Sequence, residues 1–180
     1  IGFYQNHAID SAVTTWRIDA DVDRPAPLIS QAQAQAALNE QRRKTIQATQ
    51  DARTYWQKCK PLRYGHPYID AKLLTMQGCS GLRVDAEGWL IIPVEIDGNI
   101  ISLQRIAPDG TKRFWYGASV KGGCYVISSP GTTVTAIVEG FATGLAVHQS
   151  FPACRVIVAF DCGNMDAVAK RLSIGGLAVI

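Results

Sequence analysis

The chain has 180 residues, of which 47% are hydrophobic and 18% charged, so it has the size and composition of one good-sized globular domain or two small ones. No window reaches the roughly 18 consecutive apolar residues of a membrane span, and the first ten residues lack the basic and apolar regions of a signal peptide. The five cysteines include no CxxC pair, so we expect reduced thiols in a cytoplasmic protein, without a membrane partner. The net charge is only +3.

Residues 1–59 are predicted to form a β-hairpin followed by one long helix. The segments GFYQNH and AVTTWRID have the residue types of two short strands. From Ser30 to about Cys59, good helix formers dominate and a thin apolar stripe recurs at helical spacing. Ser30 and Gln33 form a capping box at the start of this helix, and Pro61 follows its end.

Residues 60–130 are predicted to form an antiparallel β subdomain. Between residues 81 and 128, five short stretches alternate with a period of two and are separated by turn sequences such as AEG, DGN and PDG. The stretches are LRVD, GWLIIPVEI, NIISLQRIA, KRFWYGA and GCYVISS. We expect them to pair as consecutive strands of one meander that ends near SSPGTT.

The segment 99–125 of this subdomain is basic. It contains Arg105, Lys112, Arg113 and Lys121, against Asp109 as the one acidic residue. These residues account for the whole net charge of the chain. A basic surface attracts a polyanion, but a solvated strand face would have the same composition, and charge alone leaves both interpretations open.

Residues 131–180 are predicted to form an α/β domain. The runs TAIVEG and RVIVAFDCG have the continuous apolar character of strands buried on both faces, FATGLAVHQSF and NMDAVAKRL are helical, and GGLAVI begins a third strand. This alternation predicts a parallel sheet with right-handed crossovers. The predicted fold class is therefore α+β, with the antiparallel subdomain and the parallel sheet preceded by the hairpin and the long helix.

Two carboxylates follow the first two predicted parallel strands, Glu139 and Asp161. In such sheets ligands bind at the carboxyl ends of the strands. Oxygen ligands from one or two carboxylates suit Mg²⁺, and the N-termini of the helices that follow favour phosphate. Acidic residues at strand ends also simply mark turns, so a metal site and an ordinary loop both remain open at this point.

The segment VTAIVEGFATGLAVHQSFPACRVIVAFDCGNMDAVAKRLS resembles the start of a Toprim domain of the kind found in bacterial primases and in primases of phages, plasmids and conjugative elements. In that family an EG(Y/F)AT motif supplies a catalytic glutamate, which corresponds to Glu139, and a third strand ends in an Asp-x-Asp pair that binds the metals. The chain stops within its third strand, LAVI. The resemblance therefore implies a fragment that lacks this pair and is inactive alone.

The resemblance extends upstream and covers about residues 60–180. Replicative primases have a small β subdomain ahead of Toprim, and its characteristic residues appear here in the same order. They are Pro93, Gly98, Arg105, Lys112 and Lys121. The segment GHPYIDAK, residues 65–72, resembles the opening of this subdomain in primases of mobile elements.

The resemblance implies that the protein synthesises short RNA primers on single-stranded DNA by metal-dependent nucleotidyl transfer. Glu139 would be catalytic and would bind Mg²⁺ or Mn²⁺, with Asp161 as a second metal ligand or a hydrogen-bonding loop residue, and no organic cofactor is implied. The expected partners are a single-stranded DNA template, nucleoside triphosphates and a replicative helicase.

The resemblance also implies residues that bind nucleic acid or nucleotide. These are Arg105, Lys112, Arg113 and Lys121 for phosphate groups, His66 for the triphosphate, and Trp115 with Tyr116 for base stacking. His66 could instead cap a turn, and the two aromatic residues could pack in the core. His148 is predicted to be a surface residue, and Asn164 the N-cap of the second helix.

Two other functions remain as alternatives. The first is a degenerate Toprim module that binds single-stranded DNA without catalysis. The second is a fragment of a Toprim nuclease or topoisomerase, although those classes lack the basic β subdomain ahead of the glutamate.

Overall fold

The computed structural model describes residues 2–4, 14–16, 31–172 and 178–179. By compactness the chain divides into two units, Ile1–Leu38 and Asn39–Ile180. In the first unit, strand β1 (Gly2–Tyr4) pairs antiparallel with strand β2 (Thr14–Trp16), which confirms the predicted hairpin. The predicted helix cap, Ser30, lies outside the described residues.

The long predicted helix is confirmed as α1 (Gln31–Lys58), most of which belongs to the second unit. Its polar composition fits an element that is exposed on most of its surface, and its fully buried residue is Ala52. Two side chains near its end bind the backbone of a neighbouring strand. The Thr49 hydroxyl donates to the Ile101 carbonyl at 3.0 Å, and Arg53 Nε donates to the Ile100 carbonyl at 2.7 Å.

A five-stranded antiparallel sheet follows, with its strands in sequential order. The strands are β3 (Lys60–Pro61), β4 (Arg83–Val84), β5 (Leu90–Ile96), β6 (Asn99–Ile106) and β7 (Lys112–Phe114). The predicted turn between β5 and β6 is Asp97–Gly98, where both residues have positive φ, at 48° and 76°. This geometry suits a two-residue hairpin, whose twist matches that of the strands.

The fifth stretch of the predicted meander does not join this sheet. Strand β8 (Tyr125–Ile127) instead pairs antiparallel with a strand of the second sheet, so that part of the prediction is wrong. The loop after β7 is long enough to carry the chain across, and an isolated bridge between Glu95 and Cys124 links the two sheets. A period of two shows which face of a strand is buried, but it does not identify the strand's neighbour.

The second sheet has four strands in the order β11-β9-β10-β8. Its three parallel strands, β9 (Val134–Val138), β10 (Cys154–Val158) and β11 (Ala178–Val179), alternate with helices α3 (Phe141–Ser150) and α4 (Cys162–Leu172). This confirms the predicted strand–helix alternation. Alternate residues of β9 and β10 pack on different clusters, one containing Leu145 of α3 and the other Val168 of α4, so the helices cover opposite faces.

One hydrophobic core joins the two sheets. It includes Leu90 and Ile92 of β5, Val138 and Val156 of the parallel strands, and Tyr68 of the short helix α2 (Pro67–Ala71), among others. The mixed α and β class is therefore confirmed. The domain boundaries predicted after residues 59 and 130 stay a prediction.

The cysteines all lie in the described part of the chain and are free thiols. Four of them are buried, and Cys162 is exposed. The expectation of reduced thiols stays a prediction. None of the described helices is both long enough and apolar enough to cross a bilayer.

Helix α3 approaches the parallel sheet most closely at Gly144. A Cβ atom there would lie 2.8 Å from Val158 Cγ2 and 3.1 Å from Val138 Cγ2. We expect Gly144→Ala to lower the free energy of unfolding by about 1–3 kcal/mol, because overpacking outweighs the better helix propensity of alanine. Urea denaturation measures the change. In the matched control, Thr143→Ala on the exposed side of the same helix, we expect a change within about 0.5 kcal/mol.

Candidate nucleic-acid and metal site

Glu139 and Asp161 stand at the same edge of the parallel sheet. The register pairs Val138 of β9 with Val158 of β10, and the Ala159 amide donates to the Val138 carbonyl at 2.8 Å. Glu139 is the next residue after β9, and Asp161 follows β10 by three residues. The parallel arrangement therefore brings both predicted carboxylates to the carboxyl ends of adjacent strands, where open α/β sheets bind ligands.

Asp161 also has a structural role at the start of α4. Its Oδ1 accepts a hydrogen bond from the Asn164 amide at 2.9 Å, which is the contact that a helix N-cap makes. The prediction that Asn164 caps this helix is therefore wrong, because Asn164 lies inside the first turn and its own side chain is buried. The capping bond to Asp161 uses one carboxylate oxygen, and the structure gives no partner for the other.

The buried side chain of Asn164 instead holds the loop that contains Lys121. Its Oδ1 accepts from the Gly122 amide at 2.6 Å, and its Nδ2 donates to the Gly123 carbonyl at 2.9 Å and to the Ala159 carbonyl at 2.8 Å. Lys121 is exposed and directly precedes this anchored dipeptide. The loop therefore places Lys121 beside the sheet edge at which Asp161 lies.

Strand β7 presents its two cations on opposite faces. Lys112 pairs with Ile106, whose side chain is in the shared core, and Arg113 pairs with Arg105 on the face that α1 covers. On the first face, Phe114 contacts Phe160 edge-on, with ring centroids 6.2 Å apart. Phe160 directly precedes Asp161, so Lys112 belongs to the same side of β7 as the carboxylate edge.

Phe160 has an unusual backbone conformation. It is a buried aromatic residue with a φ of 74° at the junction of β10 and α4. A residue other than glycine in this region costs about 1–3 kcal/mol and persists where the surroundings fix it. The sequence gives no signal for this conformation, which directly precedes Asp161.

Arg105 lies apart from the other three predicted cations. Its guanidinium group lies 3.4 Å from Asp85 Oδ2 and stacks over the rings of Tyr55, at 5.3 Å, and Trp89, at 4.8 Å. Its side chain is 24% exposed. These contacts give Arg105 a structural role between the sheet and α1, and its predicted contact with phosphate stays a prediction.

The two predicted stacking residues have different environments. Trp115 is half-buried and packs against Tyr55 of α1, with ring centroids 4.7 Å apart. It belongs to the cluster that fastens α1 to the sheet, in agreement with the core-packing alternative. Tyr116 is 98% exposed, so it is the member of the pair with a ring accessible to a base.

His66 caps helix α2 and is buried. Its Nδ1 accepts a hydrogen bond from the Tyr68 amide at 3.2 Å, and its Nε2 bonds to the Gly88 carbonyl at 2.8 Å. Both ring nitrogens therefore have partners within the chain, as expected if His66 caps a turn. Its predicted contact with a triphosphate remains untested.

The prediction that His148 is a surface residue is wrong. The ring is 1% exposed and bonds to Ser129 Oγ and to the Cys154 carbonyl, both at 3.2 Å. The sequence placed His148 on a helix but did not show that the connection from β8 to β9 covers this face. The hydrogen bond to Ser129 ties that connection to α3, and the bond to Cys154 ties α3 to β10.

The carboxylates at the sheet edge fit part of a magnesium or manganese site. Glu139 is exposed, and in the described part of the chain its carboxylate has no hydrogen bond or ion pair. With Asp161 it supplies the hard oxygen ligands that Mg²⁺ prefers. Among the described residues, no three side chains of His, Cys, Asp or Glu form a metal-binding group. An ion at this edge would therefore need further oxygen ligands from phosphate, water or other acidic residues.

Comparison with curated proteins identifies two relatives from Escherichia coli, each named DNA primase TraC. This chain is 34% identical to one over 122 residues, which cover 62% of this chain and 8% of the relative. It is 33% identical to the other over 152 residues, which cover 79% of this chain and 14% of the relative. The chain thus spans only a small part of these proteins.

These similarities show that the chain is related to DNA primases, which confirms the relationship predicted from the sequence. No protein-family model matches the chain, and no solved structure matches it.

The Asp85 carboxylate is the buried ion-pair partner of Arg105. Burial by itself would raise the pKa of Asp85, but hydrogen bonds from the Tyr55 hydroxyl and from the Trp89 and Glu87 amides, together with the charge of Arg105, hold that pKa below its usual value. We expect Asp85→Asn to lower the free energy of unfolding at pH 7 by about 1–3 kcal/mol, because Arg105 loses its buried partner.

The pH dependence of this loss follows from the direction of the pKa shift. A carboxylate whose pKa is depressed by folding stabilises the protein above its unfolded pKa of about 4, and this contribution is lost as the pH falls through the folded pKa. The difference in free energy of unfolding between wild type and Asp85→Asn should therefore begin to narrow as the pH falls below about 4, as measured by urea denaturation from pH 7 to 3. The exposed control Asp166→Asn should change stability by less than about 0.5 kcal/mol. A constant difference across this pH range would contradict the assignment.

Proposed function

We propose that this chain is part of the catalytic core of a DNA primase and contributes to the synthesis of short RNA primers on single-stranded DNA by metal-dependent nucleotidyl transfer. The observation that carries the proposal is that the parallel register brings Glu139 and Asp161 to adjacent strand ends, while Lys112 shares a face of β7 with Phe114, which contacts Phe160, and Lys121 precedes the loop that Asn164 binds. The relationship to DNA primases named TraC supports this class of chemistry. The parallel strands with α3 and α4 would then be the first part of a Toprim domain.

Glu139 and Asp161 would hold Mg²⁺ or Mn²⁺ at this edge, with additional oxygen ligands from an Asp-x-Asp pair of the kind that the Toprim resemblance implies. When bound, such ions lower the pKa of an attacking 3′-hydroxyl and neutralise the charge of a triphosphate. The contribution of this chain's residues is to fix two carboxylates at adjacent strand ends.

The cationic groups near the edge suit the phosphates of template and nucleotide. Lys112 and Lys121 are exposed, and Lys112 lies on the face of β7 where Phe114 contacts Phe160. The N-cap of α3 is Gly140, which has no side chain to accept hydrogen bonds, so the first amide groups of α3 have no side-chain cap. A helix N-terminus of this kind favours phosphate. Tyr116 supplies an exposed ring for stacking on an unpaired base.

A module that binds single-stranded DNA without catalysis is the second candidate function. The specific observation that favours it is that the described residues bring only two carboxylates to the sheet edge and contain no larger group of metal ligands. The cations near the edge would serve such a module equally well. The two functions differ in whether Glu139 is needed for activity or is dispensable.

We expect Glu139→Gln to reduce primer synthesis by about a hundred-fold or more, because metal ligation contributes several kcal/mol to transition-state stabilisation. The measurement is primer synthesis on single-stranded DNA with nucleoside triphosphates and Mg²⁺, in a primase that contains this chain. The control Glu40→Gln makes the same change on the exposed surface of α1 and should have no effect. Full activity of Glu139→Gln would exclude the proposed role of Glu139.

The 180-residue chain provides the complementary measurement. Because its described residues supply two carboxylates and no larger ligand group, we expect it to bind single-stranded DNA but to make no primers. Primer synthesis by this chain alone would show that its own residues complete the metal site.

The two faces of β7 allow a matched test of the DNA surface. Each lysine that contacts a phosphate of a single strand contributes about 0.7 to the slope of log affinity against log salt. We expect Lys112→Ala and Lys121→Ala each to weaken binding and to reduce the slope by about this amount, as measured by fluorescence anisotropy. Arg113→Ala, on the opposite face, should have a smaller effect. A larger effect of Arg113→Ala would place the DNA on the α1 face.

A further inference from the structure

A surface groove outside the carboxylate edge has no role in the proposed chemistry. It has a volume of about 620 Å³ and is formed by residues 60–67 together with Val84, Gly88 and Pro108. Pro61, Pro67, Val84 and Pro108 give it mainly apolar walls. The groove lies within the second unit, at the edge of the five-stranded sheet where β3 pairs with β4.

The polar features of the groove indicate an anionic, aromatic ligand. Tyr64 is 83% exposed, so most of its ring is accessible. Lys60 and Arg63 are exposed and make no ion pair within the described part of the chain, and none of the lining residues is acidic. Asp70, beside Gly65, is a carboxylate close to the groove that does not line it.

A single-stranded nucleic acid matches these features better than an apolar peptide does. The ring of Tyr64 offers a stacking platform, and cations beside such a platform contact the phosphates on either side of a stacked base. An apolar peptide would use the walls but would leave both cations without a partner. The charge of the groove therefore favours a polyanion.

Buried His66 joins two segments that line the groove. It bonds to the Tyr68 amide at 3.2 Å, at the start of α2, and to the Gly88 carbonyl at 2.8 Å. A preformed site loses less conformational entropy when a ligand binds. His66 is thus a positioning residue for the segment that carries Tyr64.

A second cavity shares the lining residue Pro108 with the groove. It measures about 350 Å³, and its lining also includes Tyr68, Lys72, Lys112 and one acidic residue, Asp109. Pro108 lines both cavities, and Lys112 Nζ lies 5.6 Å from the centroid of the Tyr68 ring. Pro108 therefore lies between the cavity that Tyr64 lines and the cavity that Lys112 lines.

We propose that this groove binds single-stranded DNA at a distance from the carboxylate edge, with Tyr64 stacked on an unpaired base and with Lys60 and Arg63 on the adjacent phosphates. The strand would continue past Pro108 to Lys112. This inference rests on the proposed function, in which the chain acts on a single-stranded DNA template, and it adds a binding site that the carboxylate edge does not include.

The test measures the affinity of the 180-residue chain for fluorescent oligothymidylate by anisotropy at several salt concentrations. We expect Tyr64→Ala to weaken binding about 5- to 150-fold, the range for loss of one stacked base, and Tyr64→Phe to retain most of the affinity. Lys60→Ala combined with Arg63→Ala should reduce the salt slope by about 1.4. All four groove substitutions are at exposed or strand-edge positions, and thermal unfolding verifies that each variant is folded.

Two matched controls separate this effect from general changes of the surface. Phe151→Ala removes an aromatic ring that is 68% exposed on another part of the unit, and Arg42→Ala removes an exposed cation of α1. We expect wild-type affinity for both. Weaker DNA binding by Tyr64→Ala than by Phe151→Ala supports the proposal that the groove binds DNA, whether or not Lys112→Ala also weakens binding.

The possible failures can be distinguished. If wild type binds oligothymidylate and Lys112→Ala weakens binding, but the groove variants behave like their controls, the groove inference alone is overturned. The same result is expected if the groove binds a peptide. If wild type binds no single-stranded DNA at any salt concentration, the proposed template and the groove inference both fail.

Discussion

The side-chain amide of Asn164 is the contact on which the geometry of the candidate site depends. It bonds the backbone of Gly122 and Gly123 to that of Ala159, and so it ties the loop after β7 to the end of a parallel strand. All three bonds are 2.6–2.9 Å long and the residue is buried, so breaking one would leave a polar group unsatisfied at a cost of about 1–3 kcal/mol. A second contact, from Arg171 Nε to the Gly122 carbonyl at 2.8 Å, holds the same loop against α4.

The shared core explains why this link forms at the meeting point of the two sheets. Side chains of β5 and of the parallel strands pack in one cluster, and the loop after β7 carries the chain to the second sheet, where β8 is an edge strand. Phe114 and Phe160 continue that packing to the surface, next to Asp161. Packing of this kind offsets the conformational energy cost of the positive φ of Phe160, the residue at which the chain turns from β10 towards α4.

The sequence predicted the features that depend on local pattern and missed those that depend on long-range contacts. The alternation of apolar runs and helices placed Glu139 and Asp161 at strand ends, and the hairpin turn at Asp97–Gly98 followed from local turn chemistry. The partner of β8, the burial of His148 and the three bonds of Asn164 each involve segments distant in sequence. Periodicity gives the buried face of an element, but the element that covers it is set by the tertiary fold.

The four basic residues of segment 99–125 are close in sequence but do not share one surface. Arg105 was counted with Lys112, Arg113 and Lys121, yet its guanidinium group is packed between Tyr55 and Trp89 and paired with Asp85. Arg113 shares that face of the sheet, so two of the four charges lie away from the carboxylate edge. A single strand of DNA that followed Lys121 and Lys112 and then entered the groove would meet Lys60 and Arg63 in place of Arg105 and Arg113. The number of cations available to one strand would again be four, but half of them come from a segment, residues 60–63, that the charge count along the chain did not include.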